Sequence, residues 1–433
     1  SPLSGLGNNV LYLEFYHRCA SRALASNFDS EFWSRIVLQM AQLEPSVRHA
    51  TIALGYLIKT EPGDAKWAHS APVIDNRKTL LHHYNKAVRL LVDRMAEPSY
   101  SVEIGLVTCL LFVCIEFVRC DFRAAFSHLI SGLKIITEWR YRAQLTLQNG
   151  ALDPQSLKTK QATAGDEMIN GKLVPMFTRA ITGGLIYGAP FEPILDNYCM
   201  PPQINRERAF SSMLEAQLAT YDIRNAALLM ISVIMRKLRV GIQPSPQDWR
   251  KHAHLLNCHE SWFQELQRLE REEKLPEKET ILASSLKVLH YTVYVALACA
   301  ADVDQMSYDA YLSSFQAMNY HARVVIDSMD SSDSSLGDKK AGAHFTFEIS
   351  LIPTLYHAAL HCRCPATRRE TVALLERNPP REALWDAKQH AMVARRAIDI
   401  EEKELDPKTG WPAQKVRLAY ALISPNMDAN GGF

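Results

Sequence analysis

Apolar positions recur at steps of three and four along most of this chain. In TLLHHYNKAVRLLVDRM, Leu80, Tyr84, Ala87, Val88, Leu91 and Met95 form one stripe; in DFRAAFSHLISGLKIITEW, Phe122, Phe126, Leu129, Leu133 and Ile136 form another. This is the period of an amphipathic helix. The segment VEIGLVTCLLFVCIEFV, 102–118, is apolar nearly all round, interrupted by Glu103, Thr108 and Glu116. It is slightly short for a bilayer, and reads as a helix at the centre of a large helical body. Start signals agree with helices. QPSPQDW offers Ser245 as N-cap, Pro246 at the first helical position and Asp248 where a capping box wants a carboxylate. RNPPREALW offers Asn378 as a cap with Pro379 behind it. No alternating run bounded by hairpin turns occurs. The expected fold is all-α, an array of antiparallel helix pairs.

Loops are expected at 60–72, around 148–167, and over the Pro-rich 188–205, whose Phe191, Ile194, Leu195 and Tyr198 should pack on the body of the protein. The stretch SMDSSDSSLGDKKAGA, 328–343, has almost nothing to bury and is expected to be mobile. None of these separates compositionally distinct halves. Residues 1–433 are therefore expected to form one continuous domain, without the strict period of a consensus solenoid.

Composition narrows the function. The 433 residues are 47% hydrophobic, enough for a large core, and the formal net charge is +1. Nucleic-acid binding ordinarily shows a basic stripe, and the local clusters MRKLR (235–239) and TRRE (367–370) read as solvated helix faces. Nine cysteines, mostly within apolar patterns, indicate small buried hydrophobes in a reducing compartment, nucleus or cytosol. No signal peptide opens the chain. It begins SPLSG without methionine and is expected to be part of a longer protein.

The stretch LYHAALHCRCP, 355–365, raises the question of a metal. His357 and His361 share a helix face, and Cys362 and Cys364 follow. Ala358, Ala359 and Leu360 stand between the histidines, so the glutamate of an H-E-x-x-H site is missing. Cys362 is turned about 100° from His361. The expectation is a packed helix without metal, its histidines hydrogen-bonded or lining a cavity. IDIEEKEL (398–405) reads as a solvated helix end. HHYNK (82–86) is an amphipathic segment rather than an acid–base site. There is no G-x-S-x-G, phosphate loop or dinucleotide fingerprint. No catalytic residue or cofactor is expected. Glu116, inside its apolar helix, must find a partner, expected to be an arginine or histidine of a neighbouring helix.

Four stretches together, residues 12–55, 80–91, 110–136 and 349–386, resemble the regulatory domain of fungal binuclear zinc-cluster transcription factors of the kind found beside secondary-metabolite gene clusters. The family's DNA-binding module holds two zinc ions with six closely spaced cysteines. Here Cys19 and Cys109 are far apart and no C-x2-C pair occurs. The resemblance implies that DNA is reached only through a module outside this chain, that the protein is nuclear, and that a coactivator, self-association or a small hydrophobic ligand is the partner, with no membrane. A pocket is expected between the central and C-terminal helices. Its candidate ligand-binding residues are Phe112, Glu116, Tyr294, Phe345, Tyr356, His357 and His361. The alternative reading is a homologue without a zinc cluster, reused as an enzyme or metabolite-binding protein in secondary metabolism.

Overall fold

The structure is a computed structural model. It describes residues 9–25, 29–60, 74–149, 164–186, 209–272, 274–335, 345–419 and 421. The fold is all-α, as the periodicity requires. Strands among the described residues are confined to the dipeptides Phe345–Thr346 and Arg381–Glu382. By its internal contacts the chain is described as two compact units. Unit 1 is Ser1–Ile181 with Lys340–Glu348; unit 2 is Thr182–Lys339 with Ile349–Phe433.

Unit 1 begins with α1 (Asn9–Phe15), α2 (Ser21–Leu24) and α3 (Val37–Leu43), with π turns at Tyr16–Ala20 and Phe32–Ile36. The long helices follow: α4 (Pro45–Thr60), α5 (Ile74–Met95), α6 (Val102–Val118) and α7 (Phe122–Asn149). Helix α6 is buried without a break from Ile104 to Val118, so its lack of a polar face marks a core helix. Gly55 lets α1 approach α4: a Cβ there would lie 2.4 Å from the Tyr12 carbonyl oxygen. The stripe on α5 is narrower than its sequence suggests. Leu80 and Ala87 are buried, but Val88 and Met95 are exposed. His83 takes the inward place instead, its Nδ1 2.8 Å from Nδ1 of His49 on α4. The unit closes with α8 (Ala164–Met168), a π turn at Ile169–Leu173 and most of α9 (Val174–Ile186).

Unit 2 contains α10 (Met213–Arg239), α11 (Pro246–Glu272), α12 (Glu277–Ala298), α13 (Leu312–Ser335), α14 (Ile352–His361), α15 (Pro365–Glu376) and α16 (Ala387–Glu401). Met213, Ala216 and Ile223 of α10, Trp262 and Leu266 of α11, and Ala283 and Leu286 of α12 form one core cluster. By length and composition α10 and α12 could cross a membrane, but 44% and 50% of their most apolar windows are buried inside the protein. The cap expected at Ser245 forms: Asp248 N–H donates to Ser245 Oγ (3.2 Å) and Ser245 N–H donates to Asp248 Oδ2 (2.7 Å).

Two expectations need correction. Asn378 caps no helix start. It follows the end of α15 with a left-handed backbone, φ 59°, and its N–H donates to Leu375 O, a conformation asparagine tolerates. The next helix starts at Ala387, where Asp386 accepts from Gln389 N–H. Residues 328–335 of the expected mobile loop are the last turns of α13. Arg377 fastens them by donating to Asp327 (2.6 Å) and Asp330 (2.5 Å). The rest of that loop, and the Pro-rich 188–205, lie outside the described residues.

Candidate functional site

The seven candidate residues stand in separate settings. Phe112 and Glu116 share the inner face of α6 in unit 1. The Phe112 ring lies 4.7 Å from Tyr84 and 5.2 Å from His128. Glu116 is buried, and burial raises its carboxyl above the usual range, opposed by Arg119. Arg119 Nη1 donates to Glu116 Oε2 at 2.7 Å. The arginine partner is thus on the next turn of chain, not on a neighbouring helix. Helix α5 adds Tyr84, whose phenol is pushed up by burial and by the nearby Glu116 carboxylate. Tyr84 Oη is 2.8 Å from His128 Nε2. Phe345 is buried in the second segment of unit 1.

In unit 2, Tyr356, His357 and His361 lie on α14. Tyr356 Oη donates to Ala421 O at 3.1 Å, and its ring packs on Trp385 and His390. His361 Nδ1 is 3.0 Å from Gln305 Oε1, and its ring stacks on Tyr308 at 4.4 Å. The amide oxygen can only accept, so His361 carries its proton on Nδ1. The His357 ring is 4.3 Å from His361 and its Nε2 makes no hydrogen bond. Burial lowers His357 to about 4 and takes His361 well below its ordinary value. Among the described residues no group of three or more His, Cys, Asp or Glu could hold a metal ion.

The remaining candidate, Tyr294, leads to a cavity. Helices α10, α11 and α12 enclose about 10 Å³ between Thr220, Arg224, His259, Trp262, Leu289 and His290, room for about one water molecule. The His290 ring is sandwiched: Phe263 lies 4.6 Å away at 8°, Tyr294 5.7 Å away at 19°, and Trp262 5.3 Å away at 26°. His259 is 5.5 Å from His290. His259 Nε2 and His290 Nδ1 are buried and make no hydrogen bond. Burial lowers His259 to about 3 and takes His290 well below its ordinary value. Burial disfavours the charged form of both rings, and their two unbonded nitrogens lie among Trp262, Leu289, Thr220 and the buried Arg224. Tyr294 stands at its edge, where Oη donates to Glu260 Oε1 at 2.8 Å. His259 and His290 were not singled out from the sequence, although each interrupts an apolar helical stripe.

A second cluster was misread. TRRE and IDIEEKEL appeared solvated, yet Arg368 and Glu401 are wholly buried. Arg363 Nη1 donates to Glu401 Oε1 at 2.5 Å, and Arg368 Nη2, which donates to Ala359 O, forms an ion pair with Oε2 at 2.8 Å. Leu418 N–H donates to Glu401 Oε1 at 2.7 Å, and Arg363 Nη2 to Leu418 O at 3.3 Å. This triad fastens α14, α15 and α16 to the chain near Leu418. The signal was present: Glu401 continues the buried row Ala394, Ala397, Ile398, and Arg368 shares a face with Thr371, Val372 and Leu375.

Comparison with known proteins bears on the first third of the chain. Residues 11–161 match the model of the fungal specific transcription factor domain. Over 137 residues, 31% of this chain, the sequence is 27% identical to the aspercryptin biosynthesis cluster-specific transcription regulator of Emericella nidulans. The aligned part spans 22% of that protein's length. No solved structure matches. The matched residues contain three of the four stretches on which the family resemblance rests, and over residues 11–161 the chain is similar to the fungal specific transcription factor domain.

Proposed function

We propose that this chain is the regulatory domain of a nuclear fungal transcription regulator that controls a biosynthetic gene cluster. The match over residues 11–161 carries the reading, and the cluster-specific regulator among its relatives supports it. DNA contact belongs to a separate module, since a chain of net charge +1 offers little phosphate neutralisation. The test is transcriptional. The chain is fused to a heterologous DNA-binding module and a reporter is read at equal protein levels. The expected result is a change in output relative to the module alone; an unchanged output contradicts the reading.

The finer part of the proposal is that unit 2 senses a small hydrophobic metabolite at the His259–His290 box. Neutral imidazoles with free nitrogens, walled by aromatic rings, are the usual mixture of a small-molecule site. At about 10 Å³ the cavity admits such a ligand only if the Phe263 or Tyr294 ring swings aside. A thermal-shift screen of hydrophobic metabolites should find a compound that raises the melting temperature of the chain but not of a His259→Phe/His290→Phe variant. A ligand at 100 times its Kd adds about 2.7 kcal/mol. Equal shifts in both proteins contradict this site.

A further inference from the structure

The turn joining Met213–Arg239 to Pro246–Glu272 holds apolar side chains in water on a rigid support. Gly241, φ +74°, ends the first helix: its N–H donates to Leu238 O (3.0 Å), and Ile242 N–H donates to Lys237 O (2.8 Å). This pair of bonds is a Schellman cap. Three residues later Ser245 and Asp248 cap the second helix, and Lys237 Nζ donates to Asp248 Oδ2 at 2.5 Å. The turn is pinned from both ends.

Such a cap ordinarily packs its last residue, here Ile242, on an apolar side chain three residues before the cap. That place is taken by Lys237, which is committed to Asp248. Ile242 stays 56% exposed and Val240 64%. Met235 and Trp249, on the two helices that the turn joins, are also exposed. The backbone of this turn demands only the glycine, so neither Val240 nor Ile242 is required to close it.

Charge around this tip has one sign. Residues 235–254 carry five Lys or Arg and a single carboxylate, Asp248. Lys237 neutralises that carboxylate. Arg236, Arg239, Arg250 and Lys251 are exposed and make no ion pair among the described residues. We infer that this tip, Val240 and Ile242 ringed by Arg236, Arg239, Arg250 and Lys251, is a docking surface for an acidic amphipathic segment of a partner protein. Aliphatic or aromatic side chains of the partner cover the tip, and its carboxylates meet the cations. The rigid turn lowers the ordering cost of binding, and opposite charge steers the encounter. A second copy would set these cations against themselves. The apolar part is a tip rather than the long helical face that lies on a membrane. The inference goes beyond the ligand reading and does not depend on it.

The test uses the full chain and a fluorescent synthetic helix of Asp, Glu, Leu and Phe, with a scrambled peptide of the same composition as control. Wild type should bind the amphipathic peptide more tightly than the scrambled one, and added salt should weaken it. Val240→Ser/Ile242→Ser and Arg239→Glu/Arg250→Glu should each weaken binding about tenfold or more, with melting temperatures unchanged. Equal binding by all three proteins overturns the proposal, as does no binding by wild type. Binding only to phosphatidylserine vesicles would assign the tip to a bilayer. Self-association lost in Val240→Ser/Ile242→Ser would assign it to a second copy. Either result also overturns it.

Discussion

Unit 2 buries polar groups in two opposite ways. Around Glu401 opposite charges meet: Arg363 Nη1 and Leu418 N–H donate to Oε1, Arg368 Nη2 stands 2.8 Å from Oε2 as an ion pair, and Arg363 returns a bond to Leu418 O, while Oε2, Arg363 Nε, Arg368 Nε and Arg368 Nη1 make no hydrogen bond. In the His259–His290 box the partners are missing, and aromatic rings occupy the space where they would stand. A buried group without a bond costs about 1–3 kcal/mol. Both leave polar atoms unbonded at a cost in stability; the first is held by opposite charges across three elements and fixes a fold, whereas the second holds only uncharged rings. The difference separates a structural lock from a candidate binding site, though both are clusters of buried ionisable residues.

The largest expected effect falls on the lock. Glu401→Gln leaves two buried cations uncompensated and should cost about 3–5 kcal/mol in urea unfolding. Replacing Arg363, Arg368 and Glu401 together by Met, Met and Leu should recover much of that loss, because an apolar trio carries no desolvation penalty. If Glu401→Gln unfolds like wild type, the triad is not a lock.

The next effect is pH dependence, and it belongs to the box. Burial holds His259 at about 3, far below the 6.5 of a free imidazole. Between pH 6.5 and 4 the unfolded chain therefore takes a proton that the folded chain refuses, and stability falls as pH falls. His259 alone should contribute about 1.4 kcal/mol per pH unit across that window. His259→Phe should flatten the slope by this amount. Equal slopes in wild type and His259→Phe would contradict the burial of a neutral ring.

The smallest effect is expected from His290→Phe. It keeps a ring in the stack of Phe263, Trp262 and Tyr294 and removes an unpartnered nitrogen. Stability should stay within about 1 kcal/mol of wild type. His290→Ala, which empties the stack, should cost several times more, since cavities are expensive. A large loss in His290→Phe would mean that the nitrogen has a structural partner.

These regions were not equally legible in the sequence. The helices were, because three- and four-residue spacing reports burial directly: Leu129, Leu133 and Ile136 are all inside. The Ser245–Asp248 cap was legible because its partners are three residues apart. Asn378 was misread because an asparagine before proline suits a helix start as well as a helix end. Arg368 and Glu401 were misread because charge was weighed before position on the helix. Their partners are 33 residues apart, beyond any local pattern. The box was invisible for a similar reason. His259 and His290 meet only when α11 packs on α12, and Tyr294 alone had been placed among the candidates.

The central claim is that His259 and His290 are neutral imidazoles, each with a buried nitrogen that has no hydrogen-bond partner, beside Trp262, Leu289, Thr220 and Arg224. The most direct measurement is the nitrogen-15 chemical shift of both rings in histidine-labelled chain, followed from pH 8 to pH 5. The account predicts neutral-tautomer shifts for both rings throughout that range. Titration of either ring with a midpoint near 6.5 would contradict it.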